Sequence, residues 1–181
     1  MPPCTRGSRT VDDVHHADFG LLVLRLVFGL FLACHGYNKL FGKGGINGTV
    51  GWFSSIVMKP PKLNAYMAAF TEIGAGVGFA AGFLTPLCAG AIIALMIVAI
   101  VVAHRHNGFF IFKPGQGWEY CASIAFAAFA LATIGAGQWS IDHALDWDVQ
   151  QWWGAGIAAI VGVVGATLQL VACYRPAPPT S

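Results

Sequence analysis

The sequence predicts an all-α polytopic membrane protein, a four-helix bundle with a fifth transmembrane helix, on three observations. Only 10% of its 181 residues are charged while 56% are hydrophobic, against roughly a quarter charged in a soluble domain. Five apolar runs are long enough, at about 20 residues and 1.5 Å rise, to cross a hydrocarbon core about 30 Å thick. All six tryptophans, Trp52, Trp118, Trp139, Trp147, Trp152 and Trp153, fall at the ends of those runs or between them, where an aromatic belt sits. This composition excludes a soluble enzyme, a disordered chain and a nucleic-acid binder.

The first run spans Phe19 to Phe41, the second Ala65 to Leu84, the third Pro86 to Ala103, the fourth Gly117 to Ile134 and the fifth Gly154 to Cys173. Lipid offers no hydrogen bonds to an open backbone, so each run closes as a helix. Asp18 reads as a cap for the first, Thr85 followed by Pro86 as the N-cap and first position of the third, and Gly135-Ala136-Gly137 as the stop of the fourth. Between the first two runs, Trp52, Phe53, Ile56 and Val57 suggest a short interfacial helix ended by Lys59-Pro60-Pro61-Lys62. The expected organisation is a polar tail over residues 1–18 without a removable leader, a four-helix core over 19–145, the added helix within 146–174 and a disordered tail over 175–181.

Counting Lys and Arg on alternate sides of the five runs gives an orientation. One side holds Arg6 and Arg9; the other holds Lys39, Lys43, Lys59, Lys62, Arg105, Lys113 and Arg175. Seven against two puts the second side in the cytoplasm of a plasma (inner) membrane and the N-terminus outside. The Asn47-Gly48-Thr49 sequon then faces the cytoplasm and reads as a chance match.

Charges inside apolar runs carry the functional signal, because each costs roughly 2.5 to 3.5 kcal/mol on insertion scales. Arg25, His35 and Lys39 fall within an arc of about 80° on a helix turning 100° per residue, and Gly29 and Gly36 share that face. The face should turn inward. By helix rise, Glu72 sits about 10 Å and His35 about 9 Å from the cytoplasmic ends of their runs. His104, Arg105 and His106 close the third run there and Glu119 opens the fourth, so the candidate pocket comprises His35, Lys39, Glu72, His104, Arg105, His106 and Glu119. Arg25 lies nearer the opposite side, apart from the rest. Glu72, His35 and Glu119 are the candidate catalytic groups, and Arg25, Lys39, His104, Arg105 and His106 candidate substrate-binding ones. A purely structural account, a buried ion pair such as Lys39 with Glu72 or Arg105 with Glu119, stands beside this. The Gly74, Gly78, Gly82 series is expected to seat another helix. Cys34, beside His35, is a packing residue before it is a redox one.

Together, Arg25, Gly29, His35-Gly36, Lys39-Leu40-Phe41, Glu72-Ile73-Gly74, Asn107-Gly108-Phe109-Phe110, Trp118-Glu119-Tyr120 and Trp139-Ser140-Ile141-Asp142 resemble the DoxX family of bacterial and archaeal membrane proteins, over about Phe19 to Leu145. The resemblance implies a four-helix membrane core often associated with redox or sulfur metabolism; the family name comes from a subunit linked to a thiosulfate:quinone oxidoreductase and terminal oxidase. A fifth helix after Asp148, with Gln169 its one strongly polar residue, departs from the family pattern and is free to dock a partner.

The function expected is therefore a membrane subunit of a redox assembly, with a protein partner, that binds or protonates a quinone head group through His35, Glu72 and Glu119, groups suited to deliver protons to a carbonyl oxygen. A non-enzymatic assembly or anchoring subunit is the alternative. A haem b held by His35 and His104 or His106 is disfavoured because both third-run histidines sit at its wet end. The five cysteines form no CxxC pair and no zinc spacing, and no phosphate loop or nucleophile triad is present. A continuous proton or ion path is also unsupported, since the first helix is apolar between Arg25 and His35.

Overall fold

The computed structural model describes residues 11–176, all helix and connection with one isolated bridge between Met58 and Tyr174. Its helices are α1 (Val11–Phe41), α2 (Gly45–Ser55), α3 (Pro61–Ala81), α4 (Thr85–Ala99), α5 (Glu119–Ile134), α6 (Ile141–Ala144) and α7 (Gln151–Cys173). Helix α4 continues through a π-helical turn over Ile100–His104 and a 3-10 turn over Arg105–Asn107. Three helices are long and apolar enough to cross a membrane: His15–Phe41, Thr85–Asn107 and Gln151–Cys173. All five sequence runs are helical, yet α5 has only 16 residues, and α3, with 21, carries Lys62, Asn64 and Glu72 in its length. Phe31, Phe70, Phe126, Ile160, Leu168 and Val171 are exposed on the outside of the bundle, a surface that only lipid can cover at low cost.

Helix α3 packs between α1 and α4, and α7 lies along α4 and α5. Small residues set these distances. A methyl group built on Gly29 would fall 2.5 Å from the carbonyl oxygen of Gly76, and one on Gly36 would fall 2.6 Å from that of Ala69, so α1 and α3 meet backbone to backbone. The inward turn of the Gly29 and Gly36 face is as the sequence predicts. The glycine series on α3 is so only in part: a methyl group on Gly78 would fall 2.7 Å from Cys88 Sγ of α4, but Gly74 has nothing within 4 Å and the α1 contact belongs to Gly76. Gly90 against Val161 and Gly162 against Ile93 bring α7 onto α4 in the same way. The fifth helix is thus an integral wall of the bundle. One apolar core, with Phe79, Ile92, Met96, Ile124 and Leu131, lies among α1, α3, α4 and α5; a second, with Phe53, Met58, Val98 and Cys173, closes the other end beneath α2.

The caps correct two expectations. Helix α1 already runs from Val11, so Asp18 lies inside it and does not cap it; its Oδ1 accepts the Gln138 backbone N–H at 3.0 Å. The N-terminus of α4 is capped by Asp142, whose Oδ1 and Oδ2 accept the N–H groups of Leu84 at 2.7 Å and Thr85 at 2.9 Å. Thr85 is itself the first residue of α4, and its buried hydroxyl has no partner among the described residues. Gly82, at φ +66°, ends α3 with Phe83 N–H on Gly78 O and its own N–H on Phe79 O, a left-handed closure that glycine adopts without steric penalty. Helix α5 stops at Ile134 before Gly135, as expected. Arg175, read as the start of a disordered tail, donates its backbone N–H to Val57 O at 3.0 Å, and Lys59 N–H reaches Cys173 O at 2.8 Å. Arg6, Arg9, Cys4 and residues 177–181 lie outside the described residues.

Candidate functional site

Near the α2 end of the bundle a cavity of about 270 Å³ opens between α1, α3, α4 and α5. Its walls are apolar, from Leu32, Phe53, Met96, Val98 and Ile124, with His35, Lys39, Glu72 and His104 set into them. This is the composition of a small-molecule site, apolar with a few convergent polar groups. Helix α1 supplies His35 and Lys39 one turn apart, on the face that Gly36 presses onto α3, and α3 supplies Glu72 opposite. Lys39 Nζ donates to Glu72 Oε1 at 2.7 Å and Oε2 at 2.6 Å. Glu72 is buried and Lys39 partly so, which makes the pair a fixed element of the wall. Thr49 of α2 closes over it, its hydroxyl donating to Lys39 O at 3.0 Å.

The π-helical turn delivers His104. Such turns recur at functional sites, where they re-aim a helix within one or two residues. Nδ1 of His104 lies 2.9 Å from Gln116 O; a proton held on Nδ1 for that bond leaves Nε2 as the acceptor of the neutral ring. The connection over 108–118 is folded back by Asn107, which donates to Ala103 O, Gly115 O and Gln116 O. This returns Gln116, Gly117 and Tyr120 to the cavity wall.

The structure thus gathers His35, Lys39, Glu72 and His104, and separates the other candidates from them. Glu119 is not on the wall: its Oε2 accepts the Ile111 N–H at 3.2 Å, bracing the connection at the start of α5. The reason is helical geometry, since Glu119 and Tyr120 point about 100° apart and it is Tyr120, itself half exposed, that borders the cavity. Arg105 and His106 are exposed in the 3-10 turn, where Arg105 Nε donates to His106 Nε2 at 2.9 Å. No Arg105–Glu119 ion pair forms among the described residues. Sequence reasoning missed Tyr120, Gln116, Trp52 and Gln169 on the wall. Tyr120 had a visible signal, standing in the motif Trp118-Glu119-Tyr120 beside the residue chosen instead.

Arg25 belongs to the opposite end, and it has company there. It is fully buried, and Nη2 donates to Trp139 O at 2.5 Å. The carboxylates of Asp18 and Asp142 are buried at the same end, neither within ion-pair distance of the guanidinium, whose Nε and Nη1 have no partner among the described residues. These residues join α1, the α3–α4 turn and the connection after α5 at one end, the reverse of the isolated arginine expected from the sequence.

The fold defines an α-helical membrane protein, with a cavity lined by a few polar side chains toward one end of its bundle. The DoxX family model matches residues 20–105. The matched stretch includes Arg25, His35, Lys39, Glu72 and His104 and ends before Tyr120, Asp142 and α7. No curated protein and no solved structure matches the chain significantly.

Proposed function

We propose that this membrane protein is the membrane subunit of a redox assembly in the plasma membrane, and that its cavity holds a quinone-like head group. One observation carries the reading: the Lys39–Glu72 pair shares with His35 and His104 the wall of a largely apolar cavity. Reduction of a quinone to a quinol takes two electrons and two protons. The electrons come from a redox partner subunit. His35 and Glu72 are the acid groups suited to deliver the protons to the two oxygens, while Lys39 holds Glu72 in place and balances its charge between deliveries. Apolar walls exclude water, which strengthens each of these interactions. The cavity then faces the cytoplasm, by the excess of Lys and Arg at that end.

The test is binding of a short-chain benzoquinone to the protein in lipid nanodiscs, read by quenching of Trp52 with Trp52→Phe as the control. Glu72→Gln should weaken binding about tenfold, since it breaks the ion pair that fixes Lys39 and this end of the cavity wall. Unchanged binding by Glu72→Gln and His35→Ala would sink the reading.

The anchoring role is favoured by a specific observation of its own, the use of both Glu72 oxygens by Lys39. It predicts that Lys39→Glu with Glu72→Lys restores a native complex seen by mass spectrometry of mild detergent extracts. The head-group reading predicts that the same exchange leaves quinone binding lost.

A further inference from the structure

A second, larger recess lies on the membrane-facing side of the same region. Helices α3 and α7 both pack on α4 and scarcely touch each other, so α4 forms the floor of a groove of about 530 Å³ between them. Leu63, Met67, Ala91, Val161, Gly165 and Leu168 make it almost entirely apolar. Three residues, Ala68, Leu95 and Gln169, line both this groove and the polar cavity. The two spaces are therefore separated by no more than one layer of side chains. Gln169 is the polar residue at that divide, its Nε2 donating to Asn64 Oδ1 at 3.1 Å. Gly165 keeps the groove open: a methyl group there would meet only Ala94, at an ordinary 3.5 Å.

We propose that the groove between α3 and α7 receives the apolar tail of an amphiphile whose head group occupies the cavity, with Gln169 and Ala68 at the passage between them. The proposal rests on the head-group reading above and adds the ligand class: a polar cyclic head on a long hydrocarbon or isoprenoid tail. The argument is one of continuity. A groove open to lipid is filled by any acyl chain, but this one shares its wall with the polar cavity, so a tail leaving that cavity enters it without crossing the packed core. The family-matched segment supplies two sides of the groove and α7, which lies beyond that segment, supplies the third. On this reading the fifth helix is what gives the site its preference for long-tailed ligands.

The experiment compares a methyl-tailed and a decyl-tailed benzoquinone on the full chain in nanodiscs. The variants are Gly165→Leu, which fills the groove, and Gly156→Leu, which adds the same bulk to α7 outside the groove at a position with nothing within 4 Å. Expected is about a tenfold loss of affinity for the decyl analogue in Gly165→Leu alone, the equivalent of roughly two methylenes no longer buried, with the methyl analogue unaffected. Equal decyl binding by wild type and Gly165→Leu, with the methyl analogue bound by both, would overturn the tail groove and leave the head-group site standing, the groove then holding ordinary lipid. Failure of both analogues to bind the wild type would overturn both.

Discussion

Asp142 caps a helix 57 residues before it, its Oδ2 accepting the Thr85 N–H at 2.9 Å. The adjoining Leu84 N–H takes Oδ1, and Leu84 sits at φ +48°, a conformation that costs a non-glycine residue roughly 1–2 kcal/mol. The carboxylate thus holds in place a turn the chain would otherwise relax. Asp142→Ala is expected to destabilise the protein by about 2–4 kcal/mol, more than an exposed cap at about 1 kcal/mol, because the acceptor is buried and Arg25 loses a counter-charge. Thermal unfolding in detergent checks this, and a loss under 1 kcal/mol would refute it.

Arg25 and Asp142 should behave as one unit. Arg25→Ala leaves Trp139 O without its donor and takes the positive charge away from an end that holds two buried carboxylates, at a cost of about 1–3 kcal/mol. Combined with Asp142→Asn, the double change should cost at least 1 kcal/mol less than the sum of the singles, the mark of residues in one network. Strict additivity of the two unfolding free energies would show that they act separately.

Glycine positions make a sharper comparison, since sequence and structure disagree about them. Gly76→Val must push α1 and α3 apart, because even a methyl group there falls 2.6 Å from Gly29 O; overpacking of this kind costs about 1–3 kcal/mol or more. Gly74→Ala, two residues away with nothing within 4 Å, should be neutral or stabilising by up to about 1 kcal/mol through helix propensity. Matched loss in both variants would contradict the packing described.

Why one series was legible and the other was not follows from what each depends on. Helices, their polar faces and the meeting of His35, Lys39 and Glu72 follow from spacing and depth, which are local. Gly76 in place of Gly74, Tyr120 in place of Glu119 and Asp142 in place of Thr85 depend on rotation of a helix against a neighbour, or on a partner more than 50 residues away. Arg25 was readable as a buried charge needing a counter-ion, but its acids stand inside α1 and in the connection after α5. The wall contributed by α7 was invisible for the same reason: Gln169 was the one strongly polar residue on its span, and only the packing of α7 on α4 shows that it borders the cavity.

His143 gives a pH-dependent readout at the Arg25 end, outside the membrane spans. Its Nδ1 lies 2.7 Å from Asp148 Oδ2, and that hydrogen bond, then the charge of Asp148, raises its pKa above the usual histidine value of about 6.5. Because the folded value is the higher one, the pair's contribution is complete below about pH 6.5 and fades as pH rises through the folded pKa. Titration of the His143 ring by NMR should show the raised value, and Asp148→Asn should return it toward 6.5. An unchanged midpoint in that variant would exclude the pair in solution.

Orientation is tested by labelling single cysteines in intact cells. Lys43, Lys59, Lys62, Arg105 and Lys113 all lie at the α2 end of the bundle, while Trp139, His143 and Trp152 lie at the other. The positive-inside rule expects the first end to be the cytoplasmic one. In a cysteine-free background, Lys43→Cys should then resist a membrane-impermeant maleimide until the cells are opened, and Trp152→Cys, exposed at the start of α7, should react at once. The reverse pattern would place the cavity with His35 and Glu72 on the outside. It would require the protons for a bound quinone to come from that side, and the proposed arrangement would have to be inverted.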